Sequence, residues 1–255
     1  MRVCAVSYLN SAPLVWGMLH GAERGRFELE FALPAECAER VAAGEAEIGL
    51  VPSIELARQG LEQIPGAGVA SFGRVRSILL VSKVEPAHIR TLAGDSSSRT
   101  SVVLAQVVLL RRYGVQPAMR SLPPEVPAML EAADAAVVIG DPALRLDLER
   151  LPYRVLDLGQ EWTQMTGLPM VFAVWACREE ALAHEVAPVF LSSCRFGRAH
   201  LEDIVRQEAP RRGLSAELAR DYLGHRIINL HGEREQEGLR EFLEQARRLE
   251  VHAHA

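Results

Sequence analysis

Short apolar runs of strand length and longer stretches of helical spacing take turns along the first two thirds of the chain, and this alternation restricts the fold more than anything else in it. Strand patterns fall at 3–6, 27–31, 48–51, 68–71, 78–82, 90–93, 120–122, 136–139, 155–158 and 171–175. Helix patterns open near Pro13 and run over 34–43, 54–59, 102–113 and 125–133, three of them closed by Gly44, Gly60 and Gly114. A helix after each strand carries the chain back beside the first, so the pattern predicts an α/β architecture with mainly parallel sheets. After Arg178 only helices are predicted, over 179–207, 215–223 and 233–249.

Two stretches, 78–84 and 171–177, lie where one set of elements gives way to another. Read as crossings, they divide the chain into a lobe built from 1–84 and 174–255 and a second lobe, 85–173, inserted into it. Such a clamp has its cleft between the lobes. At 255 residues and 49% hydrophobic, the chain has enough apolar side chains for a substantial core.

A net charge of −5 gives no basic surface for nucleic acid and no polybasic membrane patch. Residues 1–6 enter a strand pattern directly, without a basic region, a long apolar run or a cleavage site, and no apolar run elsewhere reaches membrane-spanning length. A cytoplasmic protein is expected. Cys4, Cys37, Cys177 and Cys194 show no close pairing and read as buried free thiols. The tail, 252–255, reads as solvated and frayed.

Polar turns follow strand patterns at 7–11, 52–55, 95–101 and 140–142. In open α/β sheets that end of the strands is where ligands bind. The third turn is the densest: Ser96, Ser97, Ser98, Thr100 and Ser101 surround Arg99 just before a helix pattern that ends on Arg111 and Arg112. A helix start aims unpaired N–H groups forward, so hydroxyls, Arg99 and backbone donors there suit a carboxylate or phosphate. The same serines also fit plain helix caps, as do Ser7, Asn10, Ser11 and Ser53 in their turns. Arg76 beside Ser77 fits either a surface residue or a carboxylate partner. None of the eight histidines falls in these turns, which disfavours a His-activated nucleophile. There is no H-E-x-x-H, paired CxxC, Walker loop or G-x-G-x-x-G, and no metal or cofactor is expected. What remains is a cleft of hydroxyls, amides and one or two arginines, fit for a small organic polyanion.

The combination of Val6-Ser7-Tyr8-Leu9-Asn10-Ser11-Ala12-Pro13-Leu14, Val51-Pro52-Ser53, Val75-Arg76-Ser77, Ser97-Ser98-Arg99-Thr100-Ser101, Gly140-Asp141-Pro142-Ala143-Leu144, Trp162 and Thr166-Gly167-Leu168-Pro169 resembles the chorismate dehydratases of the futalosine route to menaquinone (MqnA family) over nearly the whole chain. The resemblance implies a two-lobed type II periplasmic-binding-protein-like fold with its ligand cleft between the lobes. It also implies conversion of chorismate to 3-[(1-carboxyvinyl)oxy]benzoate and water, without cofactor. By the same resemblance, Asn10 and Ser77 are expected at the catalytic centre, and Ser7, Ser11, Ser53, Arg76, Ser97, Ser98, Arg99, Thr100 and Asp141 around the substrate. Ser97, Ser98 and Thr100 with the helix start would hold one carboxylate; Arg76 with Ser77 or Ser53 would hold the other. The naphthoate-forming lyase of the same pathway shares the fold but carries a His base in the loop matching 139–142, where this chain reads Ile-Gly-Asp-Pro. That departure disfavours the lyase. The other competing class is a binder that captures a small carboxylate without converting it.

Overall fold

The computed structural model describes residues 1–253, with side chains as far as Leu249, so the tail expected to fray at 252–255 lies outside the described side chains. The chain opens with β1 (Arg2–Val6), a 3-10 turn (Leu9–Ser11), α1 (Ala12–His20), β2 (Glu28–Ala32), α2 (Pro34–Ala43), β3 (Ile48–Pro52), α3 (Glu55–Gln59) and β4 (Glu62–Ser71). It continues through β5 (Ile78–Ser82), β6 (Thr91–Asp95), α4 (Thr100–Tyr113), β7 (Ala118–Leu122), α5 (Val126–Ala132), β8 (Ala135–Ile139), α6 (Gly140–Leu144) and β9 (Arg154–Asp157). Next come α7 (Leu158–Thr166), β10 (Met170–Cys177), α8 (Glu180–Ala199), α9 (Leu201–Arg211), α10 (Ala216–Asp221), a π-helical turn (Tyr222–Arg226), β11 (Ile228–Leu230) and α11 (Glu233–Ala253).

The strands form two sheets, one in the order β11-β4-β10-β3-β1-β2 and the other β7-β6-β8-β5-β9. Parallel pairing holds at β1–β2, β1–β3, β6–β7 and β6–β8. In contrast, β10 runs antiparallel to β3 and β4, β11 to β4, and β5 to β8 and β9. The sheets are therefore mixed rather than mainly parallel, because the strands that enter or re-enter a sheet from the other one come in against its direction.

The same strands correct the expected crossings. Residues 78–82 are an interior strand of the second sheet and 170–177 an interior strand of the first, so the chain changes sheets earlier, between Ser71 and Ile78 and between Asp157 and Met170. Both stretches carry the strand patterns expected of them, and as nearly continuous buried apolar runs they sit inside a sheet rather than bridging between lobes. The all-helical reading after Arg178 is corrected too, since β11 pairs with β4 and the expected helix over 179–207 breaks at His200. There the backbone leaves helical geometry and the imidazole stacks on Phe196, with ring centroids 4.0 Å apart.

One large core spans the first sheet and one face of the second; a smaller one covers the second sheet's other face. Strand β5 shows the division, with Ile78 and Leu80 in the first cluster and Leu79 and Val81 in the second, as period-2 side chains require. The four cysteines are free and buried. Among the described residues, no helix is long and apolar enough to cross a membrane.

Candidate functional site

The ends of β1 and β3 in the first sheet, and of β6 and β8 in the second, run into the polar turns singled out above. Tyr8, Asn10 and Pro52, with Phe172 and Ala173, face Ser98, Arg99, Thr100, Ser101, Ile139 and Gly140 across one cleft.

Helix α4 supplies the donor side of this cleft. Its N-cap is Arg99, which makes no side-chain bond to the helix start, so the first-turn N–H groups stay open. The hydroxyls of Ser98 and Ser101 line the cleft and have no partner among the described residues. Thr100 is committed to the other sheet's turn: its Oγ1 accepts the Ile54 N–H at 3.2 Å and lies 3.3 Å from Ser53 Oγ, which itself donates to the Val171 carbonyl at 2.8 Å. Arg99 is held between Glu39 at 2.6 Å and the buried Glu55 at 3.1 Å. An anion here thus meets neutral donors first.

Asn10 sits in the 3-10 turn after β1, and that turn is fastened from two sides. The Leu9 N–H donates to Asp141 Oδ1 at 2.9 Å, and the Asn10 carbonyl accepts from Asn229 Nδ2 at 3.2 Å. The buried Tyr222 phenol donates to Ser77 Oγ at 2.7 Å. Beside it, Tyr8 lies 3.2 Å from Ser97 Oγ, which donates to Asp95 at 2.7 Å. Burial pushes the Tyr8 phenol up to about 12 and raises the Asp95 carboxyl, whose Oδ2 is buried without a partner.

The structure therefore brings Asn10, Ser98, Arg99 and Thr100 together on the cleft and places the other expected residues elsewhere. Ser53, Ser77 and Ser97 are buried one layer behind the lining, where they hold Thr100, Tyr222 and Tyr8. Ser7 and Ser11 line a separate depression with Trp16 and Arg212; the Ser11 hydroxyl is spent on the carbonyls of Val6 and Tyr8, closing its own turn. Arg76 is corrected most sharply: at φ 68° it sends its guanidinium to the carbonyls of Ala143 at 2.9 Å and Leu146 at 2.6 Å, away from the cleft. Asp141 points at Leu9 and pairs with Arg212 at 3.1 Å, a contact that ties α6 to the Asn10 turn; burial raises its carboxyl above the usual range. Tyr222, Asn229 and Arg212 went unread because their partners lie far off in sequence and a tyrosine in a helical stretch looks like core.

Gly140 lines the cleft at φ 63°, and a Cβ there would sit 2.5 Å from the Tyr8 ring. No side chain fits at that position. No group of three or more His, Cys, Asp or Glu residues is placed to hold a metal ion among the described residues.

Two mixed sheets whose strand-end turns face one cleft define the class of two-lobed ligand-binding folds typified by periplasmic binding proteins. A solved protein of Archaeoglobus fulgidus superposes with a TM-score of 0.76 at 20% identity, covering 98% of this chain and 97% of that one. The periplasmic aliphatic sulphonate binding protein of Escherichia coli follows the same path with a TM-score of 0.63 at 17% identity, over 96% and 86%. Within that class, the chain belongs to the menaquinone biosynthesis family, whose model matches residues 1–248. Its curated relatives include the chorismate dehydratases of Thermus thermophilus, 31% identical over 93% of this chain and 92% of that one, and of Campylobacter jejuni, 24% identical over 96% and 97%.

Proposed function

We propose that this protein is a chorismate dehydratase, a carbon–oxygen hydro-lyase that converts chorismate to 3-[(1-carboxyvinyl)oxy]benzoate and water in the cytoplasm. The observation that carries the reading is the cleft itself: an uncapped helix start with two free hydroxyls stands across from a single carboxamide, in a chain whose curated relatives bear that name. Chorismate carries two carboxylates and a hydrogen at C3 that is vinylogously acidified by the ring carboxylate. Loss of that proton sends charge through the diene into this carboxylate. Return of the electrons expels the C4 hydroxyl, and aromatisation drives the step; the C3 proton and C4 hydroxide leave together as water. The protein has to hold two carboxylates and favour the enolate-like charge that develops on one of them.

Ser98, Ser101 and the first-turn N–H groups of α4 suit one carboxylate. Asn10 is the candidate for the side chain beside the reacting carbon; as a neutral amide it is no base, so in this reading the substrate's own enolpyruvyl carboxylate takes the proton and Asn10 orients it. The two sheets act as lobes that close over the substrate, with 85–157 forming most of the inserted one and Thr100 on Ser53 and Ile54 as part of the closing contact. The sister lyase, which needs a His in the loop at 139–142, is disfavoured because that loop reads Ile-Gly-Asp-Pro here.

Incubation of purified protein with chorismate, with no added metal or cofactor, tests the reading through loss of diene absorbance and chromatographic appearance of the aromatic product. Binding without conversion would leave the carboxylate binder that the fold's sulphonate-binding neighbours suggest.

A further inference from the structure

The 3-10 turn that carries Asn10 has no cap of its own: Tyr8 stands at its N-cap position and makes no side-chain bond to the turn. We propose that the buried ion pair Asp141–Arg212 positions Asn10 for the dehydration, by gripping the main chain just before it from both sides of the cleft at once. The inference rests on the dehydratase reading.

The Leu9 N–H is the first donor of that turn, one of the groups a helix start leaves open. Asp141, on α6 directly after β8 of the second sheet, reaches over to accept it with Oδ1 at 2.9 Å. Its Oδ2 lies 3.1 Å from Nε of Arg212, the C-cap residue of α9, which packs on α1 beside the first sheet. Arg212 does not stop there: Nη2 donates to the Ser7 carbonyl at 3.0 Å and Nη1 to Glu208. One ion pair thus takes the Leu9 N–H with its anion and the Ser7 carbonyl with its cation, on either side of Tyr8 and directly before Asn10.

Both side chains are largely closed off from water, 10% exposed for Asp141 and 18% for Arg212, so salt screens their attraction little. Neither lines the cleft, so they act on the reaction through the turn. Their neighbours fix the same seam. Arg145, just past α6, donates to the Arg212 carbonyl at 3.2 Å, one of the acceptors that the end of α9 leaves open. On the other side, the Ser7 N–H is held by the Ala32 carbonyl at 3.0 Å, and the Ser11 hydroxyl by the Tyr8 carbonyl at 2.7 Å. Asp141 and Arg145 belong with the second sheet, Arg212 and the turn with the first. The Asn10 turn is therefore fully braced only while the two sheets stand together over the cleft, which makes closure and assembly of the reacting end one event.

The test is steady-state turnover of chorismate by Arg212→Met, which keeps an unbranched stem and removes the cation. Expected is a fall in kcat of about tenfold, the size of one hydrogen bond to a charged group, with KM within about threefold. The unfolding midpoint falls as well, because Asp141 loses its partner, so stability alone does not separate positioning from plain support. Turnover does: in an Asn10→Ala background the same change is expected to cost kcat nothing further, since its effect passes through Asn10. Arg212→Met combined with Asp141→Asn leaves no charge of the pair unmatched and is expected to show a comparable loss of kcat; it decides the matter if the single variant does not fold. Full turnover by either variant, or an equal loss with and without Asn10, overturns the inference alone. Wild-type protein inert toward chorismate overturns the dehydratase reading and this inference with it.

Discussion

At the scale of single residues, the cleft works by what it leaves free. Ser53, Ser77, Ser97 and Ser11 all spend their hydroxyls on protein, whereas Ser98 and Ser101 keep theirs. Among the described residues lining the cleft, Asn10 is the one with a side-chain amide. Asn10→Ala is expected to lower kcat by about a hundredfold or more, the usual loss when a donor to developing negative charge is removed, with a smaller change in KM. An assay of the variant at saturating chorismate checks this, and undiminished turnover would remove Asn10 from the mechanism. Gly140 serves the same site by having no side chain. Gly140→Ala must adopt φ 63° and push Tyr8 from 2.5 Å, so a loss of about 2–4 kcal/mol in denaturant unfolding is expected, along with turnover, since Tyr8 lines the cleft.

At the scale of elements, α1 must hold the Asn10 turn at a fixed height, and α8 decides where α1 lies. The two helices touch backbone to backbone: a Cβ on Gly197 would stand 2.1 Å from the Pro13 carbonyl oxygen, and Ser193 Oγ donates to the Leu14 carbonyl at 2.7 Å. Gly197→Ala is therefore expected to force the helices apart, at a cost of about 1–3 kcal/mol in unfolding free energy and a rise in KM as the Asn10 turn shifts. This element scale is also where the sequence could and could not be read. Helix α2 was legible end to end because Pro34 opens it and Gly44, at φ 73°, closes it. Helix α4 was legible from its apolar length and from Gly114. Strand β11 was not, because three residues between helices carry no period, and α7 was missed because its apolar side chains are few. The hydroxyl turn before α4 announced the site, but which hydroxyls face it depends on partners such as Val171, Tyr222 and Asp95. Those pairings exist only in the folded chain, and so Arg76, whose type suits a carboxylate, proved to be tied to the carbonyls of α6 and the residues after it.

At the scale of the whole molecule, buried titratable groups tie stability to pH in opposite directions. Asp95 and Asp141 have carboxyl pKa values raised chiefly by burial; between the ordinary carboxylate value and the raised one, the folded state holds more protons, so each favours folding as pH falls through that window. His231, at the entry to α11, does the reverse. Both its ring nitrogens are buried without partners, and this burial lowers its pKa to about 4. The unfolded chain then takes up a proton near pH 6.5 that the folded chain refuses until about pH 4, so stability is lost as pH falls between these values. From pH 7 to 4.5 the histidine contribution amounts to about 2–3 kcal/mol. The net profile mixes this loss with the gain from the two aspartates, but His231→Leu removes only the first and leaves no unpartnered nitrogen behind. Urea unfolding of both proteins at each pH is expected to show the variant ahead by that amount more at pH 4.5 than at pH 7. A constant difference across the range would mean that water reaches the imidazole and pairs with it in the folded state.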